Sequence, residues 1–402
     1  MAQAEAAATS VLDSLAIVPR LQTVGGSLAT TKCELWHNGD LLDVGYGKGS
    51  PDASRVGALY EALEHHFYRF PNLDVGVVTY CRGSELLAGQ EATGYPQRLF
   101  ETLGDGPVPC ITYSLLSGGR KERFPLALMN PPYLDDILVD SSVNAFDQAD
   151  YRYLGKYSSN NGVAAGSGVE ETLLHGLLEA VERDTISGFL YQLFVRRDAR
   201  GAAVFSTNEA EQLLGEDFYE AARLAGLRPS LVMLPNRFEI PTVCAVFWDD
   251  DGDVRMRGFG CSLSLEHAAR RALSELIQTF HICRHFHPKQ ALEKDRQTMS
   301  NAAGRKVYTD CITFDILSTL CAVGSAPPRA LTDDGDWLEQ TVPEQLSELE
   351  RRLNSARAKA CYALLRTLPG GLVVCHARLS PSDHFFLSMD GAMVLPSAVE
   401  VS

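Results

Sequence analysis

Three stretches of the sequence place two polar side chains, mostly carboxylates, three residues apart among apolar neighbours. A spacing of three puts both side chains of a pair on one face of a helix. Such a face suits a hard divalent cation such as Mg²⁺, which prefers oxygen ligands. The stretches are GALYEALEH, GLLEAVER and RALSELIQT, and their pairs are Glu61 with Glu64, Glu179 with Glu182, and Glu275 with Gln278.

A glycine-containing turn precedes each pair at a similar distance, as GYGKGS, AAGSG and GFGCS. Free N–H groups of such turns and of helix N-termini bind phosphate, and carboxylates a turn further on bind Mg²⁺ that bridges to phosphate. Three such helices meeting would form an acidic pocket that is costly unless metal fills it. The pattern predicts a magnesium–nucleotide site.

The competing interpretation is that each pair lies on a solvated helix face, where charged side chains are usually found. The second stretch fits this interpretation poorly, because apolar residues surround much of its helix. A glutamate in such a helix should be partly buried and should need a partner. The apolar residues that cannot share one stripe are Leu174, Leu177, Leu178, Val181 and Ile186.

The segment SNNGVAAGSGVEETLLHGLLEAVERD resembles the signature of the YcaO superfamily. That signature is an N-G-x-A-x-G loop of small residues, an acid-containing turn and then E-x-x-E-R. GKGSPDASRVGALYEALEHHF is similar to the family's earlier G-K-G…E-A-x-E-R helix, and GCSLSLEHAARRALSELIQ to its later R-A-L-x-E-x-x-Q helix. The three matches follow the family's order over roughly residues 40 to 290.

This resemblance implies an α+β, YcaO-type fold with mixed sheets and helices around a glutamate-lined Mg-ATP pocket. It implies ATP and Mg²⁺ as cofactors and a ribosomally synthesised precursor peptide as substrate. Family members activate a backbone amide by phosphorylating its oxygen after a nucleophile attacks the carbonyl. A Cys, Ser or Thr nucleophile gives a thiazoline or oxazoline, external sulfide gives a thioamide, and a backbone amide gives an amidine.

Carried over residue by residue, the resemblance assigns three groups of site residues. The expected metal ligands are Glu64, Glu171, Glu179 and Glu182. The expected nucleotide-binding residues are Lys48, Glu61, Ser167, Glu275 and Gln278, although a plain turn lysine is an equal alternative for Lys48. The expected catalytic residues are Arg183, Arg271 and Glu182, with the two arginines neutralising phosphate charge.

The sequence departs from the family pattern at several points. Ser167 stands where asparagine is frequent, and His65 stands where the first helix often has arginine. The C-terminal MVLPSAVEVS lacks the proline-rich tail of many azoline-forming members. Azoline formation is the main hypothesis, thioamide or amidine formation is its alternative, and a non-catalytic scaffold or docking subunit is the alternative of another class.

The expected partners follow from the same resemblance. They are a leader-binding, E1-like protein that presents the peptide and a flavin-dependent dehydrogenase, and a homodimer is an open alternative. The net charge of −15 argues against a duplex nucleic-acid binder, since such proteins carry a basic face.

The ten cysteines show neither a CxxC pair nor regular spacing, which is typical of small buried thiols in a reducing compartment. The stretch MAQAEAAATSVLDSL has no basic n-region or long apolar core, and no run reaches membrane-spanning length. We expect a cytoplasmic protein without a membrane segment.

The elements that must position the acidic stretches alternate between helices and strands. We predict a hairpin at Asn38-Gly39, a helix capped by Ser50 and Pro51, and a helix over about 169–195. One further helix is expected through PEQLSELERRLNSARAKACYALLRTL, ended by PGG. The expected organisation is an N-terminal preamble over 1–45, a catalytic core over 46–330 and a C-terminal extension over 331–402.

Two other motifs have simpler interpretations. HICRHFH places His281 and His285 one helical turn apart, but no acid or cysteine cluster accompanies them, so a polar helix end is preferred to a metal site. DDDGD lacks the ligand spacing of a calcium loop and is expected to be a hairpin turn.

Overall fold

A computed structural model describes residues 2–87, 95–119, 121–226, 228–247, 256–323 and 336–397. Helices and antiparallel strands are mixed along this part of the chain, which confirms the predicted α+β class. Its α-helices are α1 Ala2–Ser14, α2 Pro51–Phe67, α3 Gly83–Leu87, α4 Gln97–Glu101, α5 Leu126–Met129, α6 Pro131–Val139, α7 Val169–Leu190, α8 Thr207–Leu214, α9 Glu216–Ala225, α10 Leu265–His281, α11 Pro288–Asn301, α12 Lys306–Thr313, α13 Ile316–Val323 and α14 Val342–Ser355.

The strands of the described residues form three antiparallel sheets, ordered β1-β2-β3, β11-β10-β9-β8 and β4-β5-β12-β13-β7, with β6 paired to β5. They are β1 Val18–Gly25, β2 Ala29–His37, β3 Asp40–Gly49, β4 Val78–Arg82, β5 Pro107–Leu115, β6 Lys121–Pro125, β7 Val163–Gly166, β8 Ala203–Val204, β9 Pro229–Met233, β10 Thr242–Phe247, β11 Arg257–Cys261, β12 Lys359–Thr367 and β13 Val373–Ser380.

Each of the three acidic stretches lies on a helix that directly follows the edge strand of one sheet. The strand–helix units are β3 with α2, β7 with α7, and β11 with α10. Each helix packs on its own sheet and also on the edge strand of the next unit: α2 on β7, α7 on β11, and α10 on β3. We call this closed arrangement the three-unit ring. The ring explains why the sequence repeats its acidic pattern, since each copy supplies one wall.

Two glycines bring strand and helix into direct backbone contact in equivalent units. A Cβ on Gly47 of β3 would lie 1.8 Å from the Ser54 carbonyl oxygen of α2. A Cβ on Gly260 of β11 would lie 2.2 Å from the Ala268 carbonyl oxygen of α10. Because these contacts are equivalent, Glu61 and Glu275 occupy the same position in their two units. Glu64 and Gln278 likewise occupy the same position.

Local sequence signals set several element boundaries as predicted. The side chain of Ser50 caps α2 by accepting from the N–H of Ala53, and Pro51 occupies the first turn. Asn38 and Gly39 turn β2 into β3 with φ of 52° and 93°, the left-handed pair that a tight hairpin requires. The predicted long helix is α7, which continues into a π-helical turn over Tyr191–Val195.

The helix predicted through PEQLSELERRLNSARAKACYALLRTL was wrong in its second half. α14 ends at Ser355, and residues 359–367 form β12 between β5 and β13. Arg357 has a positive φ of 57°, which stops the helix. Pro369–Gly371 makes the turn between β12 and β13 instead of ending a helix.

Two further element boundaries position shorter helices. LALM forms the short helix α5 directly after strand β6. The stretch NEAEQLLGEDFYEAARLAG divides at Gly215 into α8 and α9, because that residue has a φ of 58° and leaves the helical conformation.

β13 lies between β12 and β7, so residues near the C-terminus help to position α7. None of the helices in the described ranges has both the length and the apolar character to span a bilayer.

Candidate active site

A cavity of about 690 Å³ opens at the centre of the three-unit ring. This volume lies within the range usual for small-molecule sites. Every residue that the sequence predicted for the site lines this cavity, from strands or helices of all three units: Lys48, Glu61, Glu64, Ser167, Glu171, Glu179, Glu182, Arg183, Arg271, Glu275 and Gln278. The structure therefore brings together residues from three distant parts of the chain.

Two polar side chains of the ring cross from one unit to the strand of the next. Gln278 of α10 donates from Nε2 to the backbone oxygen of Tyr46 on β3, at 2.6 Å. Glu64 of α2 accepts a hydrogen bond from the backbone of Ala165 on β7. The two contacts occupy equivalent positions, so these residues join the units as well as facing the cavity.

Cationic side chains stand among the carboxylates. Lys48 Nζ lies 2.6 Å from Glu275 Oε2. Arg183 is close to both acids of its own helix, at 3.9 Å from Glu179 and 4.0 Å from Glu182. The cavity therefore combines anion-binding groups with oxygen ligands for a metal.

Arg271 has a free donor at the cavity. Its Nε is buried and has no hydrogen-bond partner within the described residues. A buried donor without a partner costs free energy. An anionic ligand at the cavity would satisfy it.

Burial makes several of the carboxylates weak acids in the absence of a cation. It raises the pKa of Glu182 to about 7 and that of Glu64 well above its usual range. Burial also raises the pKa of Glu61 and of Glu179. Glu275 differs, because Lys48 and Arg183 outweigh its burial and lower its pKa. A divalent cation would favour the ionised forms of these acids.

The donor set suits Mg²⁺ held together with a nucleotide. Within the described ranges, no group of three or more His, Cys, Asp or Glu side chains is already arranged to enclose a metal ion. Mg²⁺ is usually bound by one or two carboxylates, with phosphate oxygens and water completing its shell. The separate carboxylates and the unpartnered Arg271 donor fit that mode of binding.

The loop that begins α7 lines the cavity through Gly166 and Ser167. Gly168 occupies the N-cap and provides no side-chain hydrogen bond to the first turn. Ser167 donates from Oγ to Glu171 Oε2 at 2.7 Å, so the serine orients a predicted metal ligand. N–H groups at a helix N-terminus favour phosphate.

Sequence reasoning missed several residues that line the cavity. His175 lies one helical turn from both Glu171 and Glu179, so the spacing of α7 could have identified it. Burial, Arg271 and Lys48 lower its pKa to about 3, which keeps the imidazole neutral. Asn160 and His267 also line the cavity, but no sequence pattern distinguished them.

Asp184 is a second residue that the sequence did not single out. This buried carboxylate pairs with Arg237 at 3.3 Å and accepts from the backbone N–H of Asp383 at 2.8 Å. Arg237 also donates to the carbonyl of Pro381. These contacts attach the segment after β13 to α7, directly beside Arg183.

The histidines of HICRHFH serve structural contacts. The ring of His281 lies 3.0 Å from Thr30 Oγ1, and the ring of His287 lies 2.6 Å from the Tyr46 hydroxyl. These contacts favour the non-metal interpretation. The acidic run DDDGD lies outside the described residues, but the strands on either side of it, β10 and β11, pair as predicted.

A family model described as "YcaO cyclodehydratase, ATP-ad Mg2+-binding" matches residues 45–379 of the chain. A curated relative, an uncharacterised protein of Methanothermobacter thermautotrophicus, is 34% identical over 125 residues. That match covers 30% of this chain and 31% of the relative, so the chain spans less than a third of the relative's length.

Three solved structures share the fold. A YcaO protein from Methanopyrus kandleri, bound with AMPPCP and Mg²⁺, has a TM-score of 0.65 at 19% identity, covering 98% of this chain and 93% of that chain. A heterocyclase in complex with substrate and cofactor has a TM-score of 0.57 at 18% identity, and the match covers 94% of this chain and 52% of the heterocyclase chain. A chain of the Escherichia coli microcin synthetase McbBCD complex has a TM-score of 0.54 at 14% identity, and the match covers 92% of this chain and 88% of that chain.

Proposed function

The chain belongs to the YcaO family, and we propose that it is an ATP- and Mg²⁺-dependent enzyme that activates backbone amides of a ribosomally synthesised peptide. The proposed products are thiazolines or oxazolines formed from Cys, Ser or Thr residues. In this reaction the side-chain nucleophile attacks the preceding carbonyl carbon, and the carbonyl oxygen takes the γ-phosphoryl group of ATP. The nucleophile loses its S–H or O–H proton, the amide N–H proton is lost as the C=N bond of the ring forms, and the former carbonyl oxygen leaves as phosphate with release of ADP.

The observation that supports this proposal is the convergence of the three acidic helices on one cavity. Glu64, Glu171, Glu179 and Glu182 are the proposed metal ligands. Mg²⁺, when bound, would neutralise negative charge on the phosphates. The nucleotide-binding residues are proposed to be Lys48, Glu61, Ser167, Glu275 and Gln278.

Arg183 and Arg271 are proposed to act in phosphoryl transfer. Both are permanently charged and can donate two parallel hydrogen bonds to phosphate oxygens. The unpartnered Nε of Arg271 is available for this without breaking an existing contact. Arg183 lies beside Glu179 and Glu182, next to the proposed metal ligands, where its guanidinium would stabilise negative charge on the phosphate oxygens.

A thioamide- or amidine-forming reaction is the second candidate, and one observation favours it. In the described segment 381–397, Leu395 N–H donates to the Tyr157 hydroxyl and Ser397 N–H donates to Asp383, while Phe386 packs against Arg183. None of these segment residues lines the cavity. A reaction with an external nucleophile would need no residue from this segment.

The proposed function also includes partner proteins. The Escherichia coli microcin synthetase McbBCD complex has been solved with pro-MccB17 bound, and it shares this fold. By analogy we infer that a partner protein presents the peptide to the cavity of this chain. A flavin-dependent dehydrogenase acting on azoline products, and a homodimer, belong to the same proposal.

Thermal unfolding with and without Mg-ATP tests nucleotide binding first. A ligand that binds the native state raises the unfolding temperature, so millimolar Mg-ATP should shift it upward. Absence of a shift would favour the scaffold alternative.

Glu182→Gln then tests the site assignment. This variant should lose ATP turnover by at least about 100-fold, as expected for loss of a group that stabilises the transition state. Its matched control is Glu266→Gln, because Glu266 is exposed on α10, pairs with Arg270 and does not line the cavity. Full turnover in Glu182→Gln would show that the assignment is wrong.

A further inference from the structure

A contact between two cysteine sulfurs lies in the six-stranded sheet, outside the cavity lining. Sγ of Cys81 on β4 and Sγ of Cys110 on β5 are 2.9 Å apart. Unbonded heavy atoms normally pack about 3.5–4.0 Å apart. Both cysteines are free and buried, with Cys81 6% exposed and Cys110 fully enclosed.

We propose that Cys81 and Cys110 form a reversible disulfide and that the pair is a site of oxidation by peroxide. The isolated appearance of the cysteines in the sequence gave no sign of this pair. The proposal is independent of the proposed enzymatic function.

The strand register supports the bond. β4 and β5 are antiparallel, with Cys81 opposite Val108 and Thr79 opposite Cys110. The two cysteines are therefore diagonal neighbours on one face of the ladder, and their sulfurs are in contact. A disulfide has an S–S distance of about 2.05 Å, so the two sulfurs must approach by roughly 0.9 Å to form the bond.

The surroundings of the pair favour attack by Cys81. A hydrogen bond from the Cys110 thiol lowers the pKa of Cys81, and the nearby Arg123 guanidinium acts in the same direction, although burial opposes both. By contrast, burial raises the pKa of Cys33 and of Cys375 to about 12. The thiolate is the reactive form of cysteine, so Cys81 should react before these buried thiols.

The reaction balances with hydrogen peroxide as oxidant. The Cys81 thiolate attacks one peroxide oxygen, the O–O bond breaks, and a sulfenic acid and hydroxide form. The Cys110 sulfur then attacks the sulfenic sulfur and its thiol proton accompanies the departing hydroxide as water. In sum, two thiols lose two electrons and two protons, and peroxide becomes two molecules of water.

Closing this bond would fasten the edge strand β4 to β5 and would close a loop between positions 29 residues apart. A cross-link of this kind reduces the conformational freedom of the unfolded chain. The oxidised protein should therefore unfold at a temperature roughly 2–5 °C higher than the reduced protein.

Peptide mapping of the full chain tests the proposal directly. The reduced protein is treated with hydrogen peroxide, its remaining thiols are blocked with iodoacetamide, and it is digested without reduction. Mass spectrometry should detect a peptide that links Cys81 to Cys110 and that separates on treatment with dithiothreitol. A Cys81 sulfinic acid without a cross-link, a cross-link to another cysteine, or unmodified thiols at both positions would overturn the proposal.

Two variants check the specificity of the bond. Cys110→Ser should form no cross-link at Cys81 and should show no rise in unfolding temperature after peroxide. Cys33→Ser changes a buried cysteine on β2. This variant should still form the Cys81–Cys110 cross-link and should still show the rise in unfolding temperature. Because the mapping uses the wild-type chain, poor folding of either variant leaves the main test intact.

Discussion

Lys48 Nζ lies 2.6 Å from Glu275 Oε2, which joins the first and third units of the ring across 227 residues of sequence. Lys48 lies within β3, opposite Thr30 on β2, and Glu275 lies on α10; both side chains line the cavity. Both side chains are about a quarter exposed. Lys48 and Arg183 together outweigh the burial of Glu275 and lower the pKa of its carboxyl group.

A double-mutant cycle of Lys48→Met and Glu275→Gln should detect coupling of about 1 kcal/mol in the free energy of unfolding. The coupling should fall when Mg-ATP is present, because Lys48 would then contact phosphate. Urea unfolding of the four proteins with and without nucleotide measures both values. Equal coupling in the two conditions would show that Lys48 does not bind the nucleotide.

Arg271→Ala should weaken ATP binding by about 10- to 100-fold, since a hydrogen bond to a charged group contributes about 1.5–3 kcal/mol. Arg270→Ala is a closely matched control, because the neighbouring Arg270 pairs with Asp217 and Glu266 away from the cavity. Calorimetric titration with Mg-ATP measures the two affinities. A similar loss in both variants would indicate a general effect on α10.

The stability of the ligand-free protein should depend on pH through Glu182. Burial makes the folded state hold this proton more tightly than the unfolded chain, with a pKa of about 7 against 4.5. The stabilising contribution is therefore complete below pH 4.5 and is lost as the pH rises through 7, on the order of 3 kcal/mol in total. The free energy of unfolding of wild type minus that of Glu182→Gln should fall across this range.

Mg-ATP should reverse that pH dependence, because Mg²⁺ binds the ionised carboxylate. The rise in unfolding temperature caused by Mg-ATP should be larger at pH 8 than at pH 6. A shift that is the same at both values would argue against Glu182 as a metal ligand.

Gly47→Ala and Gly260→Ala should each destabilise the fold by about 3 kcal/mol or more, because the added methyl group would overlap a helix carbonyl. Gly168→Ala is the control. Its backbone is extended, with φ of −169°, and a Cβ there meets nothing within 4 Å. Urea unfolding compares the three variants. A small effect at Gly47 and Gly260 would show that strands and helices of the ring can separate without cost.

The sequence by itself determined the local features of the ring. Ser50 and Pro51 start α2 because a hydroxyl cap and a fixed φ act within one turn. The spacing of Glu179 and Glu182 puts both acids on one face for the same local reason. The resemblance built on these patterns predicted the family, and the side chains it singled out all line one cavity.

Tertiary structure decided the features that depend on distant neighbours. The segment after α14 forms a strand because β5 and β13 offer hydrogen-bond partners, although its composition also suits a helix. Packing between elements brings Cys81 to Cys110 and Asp184 to Arg237, and it brings the charges of Arg271 and Lys48 close enough to affect His175. The periodicity of a single segment does not show which helix or strand it packs against. That pairing depends on the burial of apolar surface over the whole chain.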